Sequence, residues 1–250
     1  LNNLRNSFFK IIIPTKNRAN TLSHTIKTLI NQNYNNYKII ISDNNSTDNT
    51  EELIKKINHQ KIFYKKSNED ISMSENWERG LDQVEDGFVT ILGDDDGLVP
   101  NSLSIINDFI KKKNVDIISW QPHTYFWSNF QSEERNKLIL CYSEQNKIVK
   151  YSSSDLLQQI LDMQTMYLHS PMIYNSFVNI SLINTIKNKK NNKKFFTSNI
   201  PDVYSGLAFL LNTKSFYKLS QPIGINGVSK YSGGALFSRK EKSREEITNF

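Results

Sequence analysis

Hydrophobic positions in the first half of the chain fall into short blocks, each running into a polar cluster. Phe8 to Ile13 is apolar apart from Lys10 and ends in Pro14-Thr15-Lys16-Asn17-Arg18. Leu22, Ile26, Leu29 and Ile30 then recur at i, i+4, i+7 and i+8, which is one face of a helix. Tyr37 to Ser42 predicts a second strand, followed by Asp43-Asn44-Asn45-Ser46-Thr47-Asp48. Asp48 and Glu51 have capping-box spacing and predict a helix start. Lys61 to Tyr64 reads as a third strand and Phe88 to Leu92 as a fourth, with a helix between them. Strand–helix alternation of this kind predicts an α/β fold, a mainly parallel sheet covered by helices.

The second half is less regular. Val115–Trp120 predicts a fifth core strand, Leu138–Tyr142 another strand, and Ser153–Met163 a helix. Trp120, Tyr125, Phe126, Trp127 and Phe130 are crowded together, as core or sheet packing or with one ring free to stack on a ligand. His169 to Ser176 is too polar for a plain core segment. Pro201 and Asp202 suit the first turn of a helix, one by its fixed φ and the other electrostatically. Gly224 to Gly234 is glycine-rich and is expected to act as a flap, and residues 238–250 are charged and expected to fray.

Charge narrows the function only a little. The 31 basic and 25 acidic residues leave +6, too modest an excess to imply nucleic acid. A single cysteine, Cys141, excludes an internal disulfide and fits a reducing compartment. No apolar run approaches the roughly 20 residues of a membrane span, and Leu1-Asn2-Asn3-Leu4-Arg5 lacks the apolar core of a secretory signal. The expectation is a cytoplasmic protein. The Lys187–Lys194 run reads as a solvated loop, as a contact with a pyrophosphate-linked acceptor, or as a peripheral contact with the anionic inner face of the cell membrane, where each basic residue contributes about 1 kcal/mol. Phe195-Phe196 beside it either dips into that interface or begins the next core segment.

The sharpest chemical signal is Gly93-Asp94-Asp95-Asp96 at the end of the fourth strand. Adjacent carboxylates repel one another and stabilise no fold. Hard oxygen ligands at a strand's carboxyl end suit a divalent cation, Mn²⁺ or Mg²⁺, that holds a polyphosphate. The plain alternative is an exposed acidic turn.

Ile13-Pro14-Thr15-Lys16-Asn17-Arg18, Ser42 to Asp48, and Leu92-Gly93-Asp94-Asp95-Asp96 with Pro100 four residues on resemble the three successive signatures of family 2 glycosyltransferases. Asn76-Trp77, opening the helix before the fourth strand, resembles a subset of that family. The resemblance covers roughly residues 8–110 and implies a GT-A fold. Residues 1–120 would form the nucleotide-sugar-binding half and 121–250 the acceptor-side half of one domain. It also implies an inverting, metal-dependent transfer from a nucleotide-diphosphate sugar to a glycan or lipid-linked glycan, in bacterial surface-polysaccharide synthesis. UDP is the favoured nucleotide, with dTDP and GDP next.

Carried onto this chain, the resemblance implies that Pro14, Thr15, Lys16, Asn17, Arg18, Asp43, Asn44, Asn76 and Asp94 bind the nucleotide sugar. Asp95 and Asp96 fall on the metal side, with Asp95 the principal ligand. Asp202 fits the carboxylate that inverting members use as a base at a helix start. His169 is a candidate downstream metal ligand or substitute base. Three departures stand out. Gly93 replaces the first Asp of the family's Asp-x-Asp-Asp pattern. Lys16 stands where many members carry an aromatic ring, and Asn44 replaces a second Asp, although an amide can still pair with a pyrimidine edge.

Gly93 leaves open a binding-only, inactive relative. A sugar nucleotidyltransferase would need a glycine in the loop after the first strand, and Pro14–Arg18 has none. A helix-loop-helix calcium loop starting at Asp43 would need Gly where Asp48 stands and Glu where Ile54 stands.

Overall fold

The structure is a computed structural model that describes residues 7–130, 133–143, 147–230 and 232. The alternation of the first half gives β1 (Phe9–Thr15), α1 (Ala19–Ile30), β2 (Tyr37–Asp43), α2 (Thr50–Ile57), β3 (Ile62–Lys66), α3 (Met73–Leu81) and β4 (Phe88–Ile91). The chain continues through β5 (Gly97–Leu98), α4 (Ser102–Lys112), β6 (Ile117–Trp120), β7 (His123–Phe126), β8 (Leu138–Ile139), β9 (Ile148–Ser152) and α5 (Ser153–Leu161). Two 3₁₀ turns, Tyr167–His169 and Ile173–Asn175, lead to β10 (Ser176–Asn179), α6 (Ile180–Asn188), α7 (Pro201–Asn212), β11 (Ser215–Leu219) and β12 (Gly224–Val228).

The main sheet has the order β3-β2-β1-β4-β10-β6-β11-β9. β1 is parallel to both β2 and β4, so the polar clusters that follow these strands emerge along one edge. Successive residues of β1 face opposite layers. Ile11 and Ile13 join the core with α1 and α4, whereas Ile12 joins the core with α6 and α7. Burial on both faces is why the strand reads as an unbroken apolar run. Lys10, its one interruption, carries its ammonium to Asp86 at 2.5 Å.

Sequence expectation and structure part company at several points. β10 is antiparallel to β4 and β6 and sits between them, separating the fourth strand from the expected fifth. The Asp48–Glu51 capping box does not form. Asp48 instead accepts from Thr50 and from the Ala19 amide, and Glu51 pairs with Lys55. A capping box does form at Ser72 and Glu75, so α3 opens at Met73, three residues before Asn76. Phe195 and Phe196 are core residues, not interface anchors. Their amides donate to Glu78 Oε2 at 2.9 and 2.8 Å, and Lys187 holds the other Glu78 oxygen at 2.7 Å. Residues 238–250 lie outside the described residues.

A second sheet, β5-β12-β7-β8, packs against the end of β4. It makes Gly224–Val228 a strand, where the sequence suggested a flap.

Candidate functional site

The ends of β1 and β4 meet at the aspartates. Thr15 Oγ1 donates to Asp94 Oδ2 at 2.7 Å. Arg18 Nη1 lies 3.0 Å from Asp94 Oδ1 and 3.4 Å from Asp95 Oδ2, one cation held against two anions. The first and third sequence signatures therefore build a single site, whose charge Arg18 partly neutralises. Desolvation alone would lower the pKa of the Arg18 guanidinium, but Asp94, Asp95 and Asp96 outweigh it and raise it.

Asp96 serves the loop. Its Oδ2 accepts from the Gly93 amide at 2.9 Å and its Oδ1 from the Gly227 amide at 2.7 Å. With both oxygens accepting from backbone amides, it fastens the loop to β12. Desolvation, then the neighbouring Asp95 charge, push the Asp96 carboxyl well above the ordinary range. Asp94 is raised as well, by desolvation that outweighs the opposing pull of Arg18.

Asp95 is only 8% exposed, which sets it apart from the exposed acidic turn of the plain alternative. Its Oδ2 accepts from Ser229 and Ser232, each at 2.7 Å, and its backbone carbonyl accepts from Trp127 Nε1 at 2.9 Å. These three partners come from β12's continuation and the end of β7. Their single polar residues carry no spacing signal, which hid them from sequence reasoning.

Two glycines follow from the same packing. A Cβ on Gly227 would lie 1.8 Å from the Asp95 carbonyl oxygen. Close approach, not mobility, demands glycine there. A Cβ on Gly93 would lie 2.7 Å from Asp96 Oδ2 and 3.2 Å from Asp95 Oδ1. An Asp at position 93 is thus incompatible with this placement of Asp96, which gives that departure a physical reason. Gly227→Ala should lower stability by about 1–3 kcal/mol, the usual cost of overpacking. Gly97→Ala should cost less, since its Cβ would meet only the movable Thr28 side chain, at 3.1 Å. Urea melts of the two variants check this; equal losses would refute the close-approach reading.

On the other side of β1 an open cleft of ≈ 490 Å³ is lined by Lys16, Asn17, Asn45, Thr47 and Asp70. Lys16 and Asn17 were expected here; Asn45, Thr47 and Asp70 were not. Lys16 pairs with Asp70 at 2.9 Å, and Asn17 Oδ1 accepts from the Thr47 amide at 2.7 Å.

Several expected nucleotide contacts turn inward instead. Asp43 is fully buried, accepting from Ser46 N at 2.9 Å and Tyr64 OH at 2.5 Å. Asn44 exchanges two bonds with the backbone of Ile71, at 2.7 and 2.9 Å. Asn76 donates to Ser42 O and accepts from Ser42 Oγ and Arg79, tying α3 to β2 beneath the site. These residues shape the pocket walls. Pro14 is half-buried at the end of β1.

Asp202 stands in the first turn of α7, half-buried, after Pro201. Tyr174 marks its relation to the aspartates: its hydroxyl is pushed up to about 12, by desolvation first and then by the charges of Asp202 and Asp96. Tyr174 therefore lies within electrostatic reach of both, a position sequence reasoning missed. His169 is exposed and bonded to Thr165, and among the described residues it belongs to no cluster of three or more His, Cys, Asp or Glu side chains.

The donor set at Asp95 suits a hard cation. One carboxylate and two serine hydroxyls are all oxygen ligands, and Asp94 and Asp96 are engaged elsewhere. The fit is to a cation held by few protein atoms, with the rest of its shell from a bound diphosphate and water.

Comparison with known proteins identifies the family and the fold. Residues 10–210 match the profile described as Glycosyl transferase family 2. The chain is 35% identical over 99 residues to a GalNAc(5)-diNAcBac-PP-undecaprenol beta-1,3-glucosyltransferase of Campylobacter jejuni, covering 38% of this chain and 32% of that protein. It is 32% identical over 103 residues to the abequosyltransferase RfbV of Salmonella typhimurium, covering 39% and 31%. The matched segments thus span about a third of these relatives' length. The crystal structure of S. aureus TarS 1-349 in complex with UDP-GlcNAc superposes with a TM-score of 0.68 at 17% identity, over 97% of this chain and 64% of that one. The shared fold is GT-A. No helix among the described residues is long and apolar enough to cross a membrane.

Proposed function

The chain belongs to glycosyl transferase family 2, and from this we propose that it transfers a sugar from a nucleotide-diphosphate donor, a UDP-sugar first, to a glycan or lipid-linked glycan with inversion. The observation that carries this reading is the junction of Thr15, Arg18 and Asp94 beside an open cleft.

The nucleoside would occupy the cleft of Lys16, Asn17, Asn45, Thr47 and Asp70, and its diphosphate would approach Arg18 and Asp95. Asp95, with Ser229 and Ser232, would hold Mn²⁺ or Mg²⁺, which as a Lewis acid neutralises charge on a departing diphosphate. Arg18 stays charged at any working pH and can move from the aspartates to the phosphate. The donor's anomeric carbon becomes oxocarbenium-like as the leaving bond stretches. Asp202 takes the proton of the attacking acceptor hydroxyl as general base.

The polyprenol-linked acceptor named for the Campylobacter jejuni relative supports the lipid-linked part of this reading. Titration calorimetry with UDP, dTDP and GDP, with and without Mn²⁺, tests it together with a screen for donor hydrolysis. Metal-enhanced binding of UDP is expected. Binding without any hydrolysis would favour the nucleotide-sugar-binding alternative, and no nucleotide binding would defeat both.

A further inference from the structure

Two surface features of opposite character converge on the first turn of α7. One is apolar. Leu161, Met163, Met166, Tyr167, Leu168 and Ile200 are all exposed. Met163 is 92% exposed at φ 56°, in the left-handed position that ends α5 and that glycine usually fills. A long apolar side chain held in solvent at a strained position breaks a local rule, and such breaks concentrate at functional sites. The one acid in this run, Asp162, is turned back to Gln158 at 2.9 Å.

These residues sit together because α5 runs antiparallel to α7. The start of α5 is tied to the far end of α7, Ser153 N to Lys214 O at 3.1 Å, so the end of α5 reaches the beginning of α7. The 3₁₀ turn Tyr167–His169 and Ser170 follow, and Ser170 Oγ touches Gly206 so closely that a Cβ there would lie 2.2 Å away.

The second feature is basic. The loop after α6 carries Lys189, Lys193 and Lys194, all exposed. Lys190, from the same loop, bonds the hydroxyl of Tyr204 in the first turn of α7 and the Phe195 carbonyl at 2.6 Å. The loop therefore runs along α7: Lys189 reaches Asn212 at the far end at 2.7 Å, and Lys190 reaches the first turn, which the apolar residues approach from α5. Asp202 stands in that first turn.

We propose that this face is a docking surface for an anionic lipid bilayer, with the apolar side chains entering the interface and the lysines meeting the headgroup charge. An apolar face bordered by lysines is what an interfacial membrane site requires, and an isolated apolar face would not select anionic lipid. The proposal rests on the transferase reading in one respect: it brings a lipid-borne acceptor to the edge where Asp202 stands.

The test is co-sedimentation of the chain with vesicles of phosphatidylglycerol mixed with phosphatidylcholine, and with phosphatidylcholine alone. Binding to the anionic vesicles, weakened by salt, is expected. Met166→Ser with Leu168→Ser should lower the partition about tenfold or more. Lys193→Gln with Lys194→Gln should lower it about tenfold. Both variants should keep the wild-type melting temperature and UDP affinity without vesicles, since every changed side chain is exposed. The proposal is overturned if the wild type ignores anionic vesicles or if both variants bind like it. It is also overturned if the face is covered otherwise. A dimer in solution that the Met166/Leu168 change dissolves would mean a second copy covers it, and binding that appears only after removal of residues 233–250 would mean the chain's own tail does. Nucleotide binding without vesicle binding defeats this surface and spares the enzyme; vesicle binding without nucleotide binding does the reverse.

Discussion

Asp95→Asn is expected to abolish metal-stimulated sugar transfer while leaving the fold and metal-free nucleotide binding in place. The asparagine keeps the shape and an oxygen for Ser229 or Ser232, where alanine would leave two hydroxyls without their acceptor. What it removes is the one carboxylate of the triplet bound neither to Thr15 nor to backbone amides, a charge that Arg18 shares at 3.4 Å. Lewis-acid stabilisation of a leaving diphosphate is worth several kcal/mol, so the loss should be on the order of 10²–10³-fold. Initial rates measured across a Mn²⁺ titration check it. A variant as active as wild type would reduce the triplet to a structural turn.

The same change carries a pH signature. Asp94 and Asp96 are raised on folding, partly by the Asp95 charge. A carboxylate raised on folding costs stability above its unfolded pKa and nothing well below it. Removing the Asp95 charge relieves part of that cost. The variant's stability relative to wild type should therefore be most favourable near neutral pH, with the advantage disappearing in acid. Thermal melts across pH measure this.

The strands of the first half were legible because β1, β2 and β4 are buried on both faces and write their burial as apolar runs. The clusters after them were legible because a chain that stacks three carboxylates at a strand end gives up stability to do so. β10 was not legible: four residues following a polar stretch carry no periodicity, and their place between β4 and β6 is set by long-range pairing. The capping box at Ser72 was written in the sequence as Ser-x-x-Glu and overlooked in favour of Asp48, whose carboxylate went to another helix. The inward turn of Asn44 and Asp43 could not have been read, because the same residue types serve a base or a neighbouring loop equally well. Ser229 and Ser232 were hidden for a related reason. Single hydroxyls become a site only when β12 is laid beside the aspartate loop, and Gly227 makes that approach possible.

Asp202→Asn is expected to lower transfer by roughly 10²–10⁴-fold, the range for loss of a general base. Asparagine is close in shape and gives up only the first-turn charge–dipole interaction, about 0.3–1 kcal/mol, so α7 should hold. The residue makes this a clean experiment, since Asp202 carries no side-chain cap on α7 and its carbonyl, not its carboxylate, receives Ser205 Oγ at 2.6 Å. Donor affinity should change little, because the base acts on the acceptor hydroxyl. The effect should appear in kcat for transfer, with metal-dependent donor hydrolysis less affected, since water can lose its proton to bulk solvent. Tyr174 supplies a second readout: with the Asp202 charge gone, one of the influences that raise its hydroxyl is removed and its titration should move down. The contrast with Asp95 separates the two halves of the site, one mutant failing at the donor and the other only at the acceptor. Near-full transfer by Asp202→Asn would return this residue to the role of a helix-start acid, and the base would then be sought at His169, which stands exposed beside the same helix.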